Sequence, residues 1–317
     1  MTGNAKRNGI IVFIIILIIA VGVSVFAPLN ARRHASSNSF LSVFGKEYIA
    51  ALYIEGEIRS EGKTYNQQWL LDTISALGED SKNKAIILFI DSPGGGVYEA
   101  DEAYLALREY TEKTSRPVYA YMGPLAASGG YYIACAAKKI YANRNTLTGS
   151  IGVIAGQSVD ATGLFEKLGI KAETFTSGKN KNMLSYDNPL TPEQRAIMQS
   201  IADDAYDQFT GVVAEGRGMS INKVRELADG RLYTAQQAQK NGLIDEIGSW
   251  EKAVNALEEA LDNFDYELVT YRYKGSSGIL DLLSGSAKVK RADEILFAVR
   301  DYLLLDVQYP AYLYIKN

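Results

Sequence analysis

Residues 84–114 read KAIILFIDSPGGGVYEADEAYLALREYTEKT, and this stretch decides the fold. Lys84 to Asp91 is a short, nearly unbroken apolar run, as expected of a strand covered on both faces. Val97 to Thr114 carries apolar residues at helical spacing and reads as an amphipathic helix. Between them lies Asp91-Ser92-Pro93-Gly94-Gly95-Gly96-Val97, whose glycines tolerate positive φ and leave backbone N–H groups accessible. A Gly run leading from a strand into a helix is either a plain turn or a set of donors for an anion or a developing oxyanion. It matches neither the P-loop nor the dinucleotide fingerprint.

The same alternation extends outward. Tyr48 to Ile58 reads as a strand, Asn66 to Leu77 as a helix, Pro117 to Met122 as a strand and Ala126 to Ala137 as a helix opening on small residues. Alternating strands and helices imply an α/β fold with crossover units, a largely parallel sheet and helices outside it. Downstream, Thr191-Pro192-Glu193-Gln194 joins an N-cap Thr, Pro at the first helical position and Gln three residues after the cap. Ile197, Met198, Ile201, Ala205, Phe209 and Val212 then recur at helical spacing, which predicts a long helix up to Gly216. Shorter helices are expected at about Asn222 to Ala228, Ala235 to Asn241 and Trp250 to Leu261. After Asn263 come a strand-like ELVTYRYK, an amphipathic stretch near Ala292 to Leu305 and an apolar AYLYIKN ending.

Composition narrows the function. The 317 residues are 47% hydrophobic and 22% charged, which suits a folded protein rather than a disordered one. With 33 Lys plus Arg against 37 Asp plus Glu the net charge is -4, without the basic excess of a nucleic-acid binder. The single cysteine, Cys135, cannot form an intramolecular disulfide, and the single histidine, His34, lies far from every other motif. A Cys/His structural zinc site and a Ser-His-Asp triad are thereby excluded, so a hydrolase here needs another base.

Ile10 to Ala27 is almost unbroken Ile, Val, Leu and Phe, and no charged side chain occurs from Asn8 to Ala31. At about 1.5 Å per residue this stretch makes roughly 27 Å of helix, close to the hydrocarbon thickness of a bilayer. It is longer than the apolar region of a cleaved signal peptide, and Pro28 follows it, so it reads as an uncleaved anchor. Lys6 and Arg7 before it are balanced by Arg32 and Arg33 after it, so charge does not settle orientation. A short cytoplasmic tail with a large extracellular domain is the simpler arrangement. The expected organisation is an anchor over 1–31, a polar linker over 32–46, a catalytic domain over 47–262 and a C-terminal extension over 263–317.

Two further stretches can carry chemistry. In Ala126-Ala127-Ser128-Gly129-Gly130-Tyr131-Tyr132, Ser128 is either the N-cap of a helix or an accessible nucleophile, with the Gly129 N–H aimed at a tetrahedral oxygen. The usual Gly-x-Ser-x-Gly elbow is absent. Thr148-Gly149-Ser150-Ile151-Gly152-Val153 is followed by Thr176-Ser177-Gly178-Lys179-Asn180-Lys181-Asn182. Two lysines in such a loop are ordinarily a solvated turn. Alternatively, a desolvated and therefore neutral lysine can activate a serine, with a second hydroxyl holding the amine.

Taken together, DSPGGGV, AASGGYYIA, TGSIGV, SGKNKN and ADGRLYTAQQAQKNGLIDEIG resemble the signal peptide peptidase A family, from about Ile49 to Ala260. These are membrane-anchored bacterial Ser-Lys proteases of the Clp protease/crotonase-like fold, built from repeated ββα-type units. The resemblance implies Ser128 as nucleophile, Lys181 as general base, Ser150 as the hydroxyl orienting the lysine, and the Gly95 and Gly129 N–H groups as oxyanion hole. The residue before the base is more often aromatic or His in the family and is Asn180 here, which leaves Lys179 as a competing base. The chain has length for one copy of the fold, similar to the short Gram-positive type. Members of that type form octameric rings in which neighbouring protomers complete each active site. The implied reaction is acyl transfer on remnant signal peptides, with no metal and no organic cofactor. Rival readings are a crotonase-like acyl-CoA enzyme and a catalytically silent membrane scaffold.

Overall fold

The computed structural model describes residues 46–262 and 264–275 and the backbone of 311–313. Its elements belong to a compact unit spanning Glu47–Asn317. The expected anchor, nearly all of the expected linker, His34 and the stretch near Ala292 to Leu305 lie outside the described residues. Among the described residues no helix is long and apolar enough to cross a membrane.

The apolar run that opened the sequence forms β2 (Asn83–Ser92), which pairs in parallel with β1 (Tyr48–Glu55) on one side and β4 (Val118–Ala127) on the other. Ala85, Ile86, Ile87, Leu88 and Ile90 are all fully buried, so both faces of β2 are covered. On one face Ile49, Ala51, Ala85, Ile87, Tyr119 and Tyr121 pack under a C-terminal helix through its Ala253 and Leu257. Phe89 and Tyr121 meet Trp250 edge-on there, at 5.8 and 5.6 Å between ring centroids. Such aromatic pairs add about 0.5 to 1.5 kcal/mol each beyond area burial.

The sheet continues through β5 (Lys139–Ala142), β6 (Leu147–Gly149), β7 (Leu232–Thr234), β8 (Glu246–Ile247) and β9 (Glu267–Arg272). β9, β1, β2, β4 and β6 follow one another in parallel, and β7 closes the path antiparallel to β6. β5 joins β4 to β8 off that path. A second, small sheet pairs β3 (Gly94–Gly96) with β10 (Ala311–Leu313).

The helices are α1 (Gln67–Glu79), α2 (Val97–Thr114), α3 (Gly129–Ala134), α4 (Thr162–Leu168), α5 (Pro192–Arg217), α6 (Ile221–Leu227), α7 (Ala235–Lys240) and α8 (Trp250–Ala260). The order β2, β3, α2 forms one ββα unit within this mixed α/β fold. α2 occupies the predicted Val97 to Thr114, and α1 is capped by Asn66 through a bond from Trp69 N–H. α5 begins with the expected capping box, Thr191 and Gln194 satisfying each other's backbone N–H groups with Pro192 at the first position.

One expectation needs correction. Ala126 and Ala127 are not helical; they are the last residues of β4, and the helix starts only at Gly129. Both alanines are fully buried, Ala126 opposite Ser92 of β2 and Ala127 opposite Gly149 of β6, so pairing on two sides overrides their helix propensity. The apolar stripe of α5 is buried only in its C-terminal half. Ala205, Phe209 and Val213 are covered, whereas Ile197, Met198 and Ile201 stay partly exposed.

The end of α5 is fixed firmly. Arg217 pairs with Asp245 at 3.0 Å and donates to the Gly242 carbonyl, and its side chain is almost entirely buried. Asp245 in turn accepts from the Ile140 N–H of β5. A Cβ on Gly216 would stand 2.4 Å from the Cys135 carbonyl, so only glycine lets α5 pass the end of α3 this closely. The Cys135 thiol is fully buried there, and burial pushes its pKa up to about 12, which removes it as a nucleophile near neutral pH.

Candidate functional site

Parallel pairing brings strand ends together. β4 and β6 are in register at Ala127 and Gly149, so the next residues, Ser128 and Ser150, lie side by side where the strands end. Thr146 donates to the Met122 and Gly123 carbonyls, and Thr148 donates to the Ala126 carbonyl, pinning β6 to β4. The Ser128 N–H donates to the Gly149 carbonyl at 2.8 Å. The Ser150 N–H donates to the Arg231 carbonyl at 2.8 Å, which ties the TGSIGV and ADGR motifs to each other. Both serines have positive φ, 55° for Ser128 and 50° for Ser150.

Ser128 has ψ at -119°, well outside the left-handed helical basin, and such strain costs about 1 to 3 kcal/mol unless the surroundings impose it. It occupies the N-cap position of α3, but its side chain makes no capping bond, so the plain N-cap reading fails. Ser128 is 0% exposed, and its Oγ has no hydrogen-bond partner. Among the described residues it is the one side-chain polar atom, buried in a non-exposed residue, that lacks a partner. Buried hydroxyls are normally bonded, and this exception needs an explanation.

Beside Ser128 runs β3. Gly94 has φ +101° and donates its N–H to Ser92 Oγ, which shapes the turn after Pro93. The Gly94 carbonyl accepts from the Ile58 N–H, and the Gly96 N–H donates to the Ile58 carbonyl. N–H groups along an extended segment alternate between its edges, so the Gly95 N–H faces away from Ile58. A side chain at Gly95 would force the Ile58 backbone to move, since a Cβ would fall 1.8 Å from the Ile58 carbonyl oxygen. A Cβ on Gly129 would stand 3.3 Å from the Gly95 nitrogen, so the two expected oxyanion donors are neighbours.

The backbone of β10 lies antiparallel along β3, with Ala311 opposite Gly96, Tyr312 opposite Gly95 and Leu313 opposite Gly94. Ile58 fills one edge of β3, so β10 takes the other edge, toward which the Gly95 N–H points. β10 also lies against α2 and α3. A stretch of this chain thus holds the position an extended peptide takes when it adds a strand to a sheet edge.

The lysines are not at this site. Lys181 is exposed and makes no hydrogen bond to Ser128, and its N–H closes a turn onto the Gly178 carbonyl. Lys179 is ion-paired with Glu193 in the first turn of α5. Lys179 first and Asn180 second hold the Glu193 carboxyl below its usual pKa.

The structure therefore brings together Ser128, Ser150, Gly95 and Gly129 and leaves Lys179 and Lys181 apart from them. Sequence reasoning missed Ile58, whose backbone clamps β3, and the Arg231 carbonyl that holds Ser150. It also missed Tyr132, whose N–H donates to the Ser128 carbonyl at 2.9 Å. The paired tyrosines of SGGYY were the available signal, and both are fully buried.

Comparison with known proteins points one way. Residues 111–263 match the sequence pattern of Peptidase family S49. A protein of Enterococcus faecium provisionally named signal peptide peptidase SppA is 38% identical over 71% of this chain and 67% of its own length. A Methanocaldococcus jannaschii protein provisionally named a protease is 31% identical over 86% of this chain and 88% of its own. The chloroplastic serine protease SPPA of Arabidopsis thaliana is 34% identical over 80% of this chain and 37% of its own length.

Gly95→Ala tests the geometry directly. Its methyl displaces the Ile58 carbonyl and turns the Gly95 N–H from its present direction. Labelling of Ser128 by a fluorophosphonate, whose phosphoryl oxygen needs the same donors, is expected to slow at least about 100-fold. Labelling at the parent rate would mean that this N–H is not aimed at the reacting centre.

Proposed function

Because this chain belongs to peptidase family S49 and is a serine protease, we propose that it is a membrane-anchored endopeptidase hydrolysing remnant signal peptides and other small or unfolded peptides through a Ser-Lys dyad. Each active site is completed by a neighbouring copy of the chain. One observation carries this reading: the Ser128 Oγ is buried on a strained backbone with no partner, while Lys181 is exposed elsewhere. Leaving a buried hydroxyl unpaired costs about 1 to 3 kcal/mol, which an amine arriving from another copy relieves.

The segment that carries the lysines supports a second copy as its source. α4 buries no residue of its own, and Leu164, Leu168, Ile170 and Phe175 are exposed, Phe175 at 87%. Contiguous apolar exposure of this kind marks an interaction surface. A second copy is the assigned occupant, because the same segment holds the base that Ser128 lacks. A ring of copies, the octamer implied by the family resemblance, satisfies every protomer equally.

In the proposed reaction Ser128 Oγ attacks a peptide carbonyl carbon while Lys181 of the neighbouring copy takes the hydroxyl proton. Ser150, beside Ser128, orients that amine. The Gly95 and Gly129 N–H groups receive the carbonyl oxygen as it gains charge. Collapse of the tetrahedral species expels the amine, which leaves with the proton held by Lys181, and water then hydrolyses the acyl-enzyme with Lys181 as base again. Substrate binds as an added strand along β3, which requires the edge that β10 now covers. The stretch 10–27 anchors the chain, with the amino terminus cytoplasmic and the catalytic unit extracellular. Membership in a peptidase family decides against the acyl-CoA and silent-scaffold readings.

Ser128→Ala and Lys181→Ala are each expected to be inactive, and mixing the two, dissociated and reassembled together, should restore part of the peptidase activity. No recovery in mixed assemblies of normal size would place both groups in one chain. In the same assay Lys179→Ala should lose activity only modestly. Ser150→Ala should lose roughly 10- to 1000-fold, since it orients the proton acceptor rather than replacing it.

Removing residues 311–317 frees the β3 edge, so KM for a peptide substrate is expected to fall with kcat little changed. An unchanged KM would mean that β10 does not compete with substrate. For placement, protease added to intact protoplasts should digest the catalytic unit and leave the amino terminus intact. Full protection would put the unit in the cytoplasm.

A further inference from the structure

We infer that Tyr132 is a positioning residue that fixes the direction of the Gly129 N–H. The inference rests on the reading of Ser128 and Gly129 given above. A trans peptide unit points its carbonyl and its N–H to opposite sides, so fixing one fixes the other. The Ser128–Gly129 peptide offers its N–H to the reacting carbonyl, and its own carbonyl accepts the Tyr132 N–H at 2.9 Å. What holds Tyr132 therefore holds the donor.

Tyr132 is fully buried and anchored on two helices. Its hydroxyl donates to Asp101 Oδ1 of α2 at 2.6 Å and accepts from Gln208 Nε2 of α5 at 3.0 Å. Its ring meets Tyr104 of α2 edge-on and lies tilted on Phe209 of α5. α2 starts directly after Gly96, so the helix that anchors Tyr132 also follows the strand supplying the Gly95 N–H. One rigid helix thus sets both oxyanion donors in a common frame. Without that anchor, the strained ψ of Ser128 has less to oppose a rotation of the peptide plane.

The test uses the full-length protein, with peptide hydrolysis, fluorophosphonate labelling of Ser128 and thermal unfolding measured on each variant. Tyr132→Phe keeps the ring and loses the hydroxyl. Its kcat and labelling rate are expected to fall about 10- to 100-fold, less than deletion of a donor outright, with KM within about twofold. The pH profile should keep its shape, because the base is untouched. Asp101→Asn retains an acceptor and should recover most of the rate that Asp101→Leu loses. Tyr110→Phe, which removes a buried hydroxyl bonded to Asn83 farther along α2, serves as the stability control and should keep the parent kcat. Parent-like labelling in Tyr132→Phe overturns the positioning role alone, as does an equal loss in Tyr110→Phe. Absence of Ser128 labelling in the parent overturns the nucleophile assignment and this inference with it.

Discussion

Parallel pairing of β4 with β2 on one side and β6 on the other is the constraint from which the site follows. Parallel strands all end at the same edge of a sheet, so the chain reversals after β2, β4 and β6 are forced into proximity. Those reversals carry Gly94 to Gly96, Ser128 and Ser150. None of the three stretches is distinctive as a local pattern. They converge because Ser92 stands opposite Ala126 and Ala127 opposite Gly149. A slip of one residue in either register would turn the adjacent side chains to the other face.

That origin explains what could be read from sequence. α2 was legible to its ends because an amphipathic period bounded by glycines and Ser115 is a local signal. So was the start of α5, where Thr191, Pro192 and Gln194 satisfy the cap among themselves. The end of β4 was not legible. Its last part, Gly123-Pro124-Leu125-Ala126-Ala127, holds two residues disfavoured in strands and three that favour helices. It stays extended because Leu125 N–H finds the Asp91 carboxylate and Ala126 and Ala127 are paired on either side. β5 and β6, four and three residues long, depend on neighbours for their existence and carry no period of their own. Of the candidate residues, the family resemblance named both serines, both glycines and two lysines, where the local pattern alone left their roles open. Which of them meet within one chain is a matter of topology, which no local window contains.

Ser128 illustrates how the fold sustains a conformation that an isolated chain would abandon. Its N–H is taken by the Gly149 carbonyl, and its carbonyl is taken by the Tyr132 N–H. Both backbone bonds must break before the residue can relax. Ser150 is held likewise through its N–H on the carbonyl of Arg231, the residue before β7, a strand that is itself paired to β6. The two serines are therefore fixed relative to each other through backbone alone, before any side-chain bond forms. This frees their hydroxyls for chemistry instead of structure, and it agrees with the absence of a capping bond from Ser128.

Under the proposed mechanism a lone chain is idle for two separate physical reasons. Among the described residues no base lies within hydrogen-bonding reach of the Ser128 hydroxyl, and the edge where a peptide would add as a strand is covered by β10. In the proposed arrangement each obstacle is removed by a different event. Association of copies supplies the amine, and displacement of β10 exposes the Gly95 N–H. Displacement is inexpensive in one respect, since a peptide substrate re-forms the same backbone ladder that the tail gives up, so the exchange conserves hydrogen bonds. The difference between tail and substrate then falls on side-chain fit and on effective concentration, because the tail is tethered and the substrate is not. Extended peptides with enough apolar surface to outcompete a tethered strand are the ones such a site admits. A folded protein offers fewer such strands, because its interior strands are already paired and its edge strands are blunted by charges, bulges or covering segments.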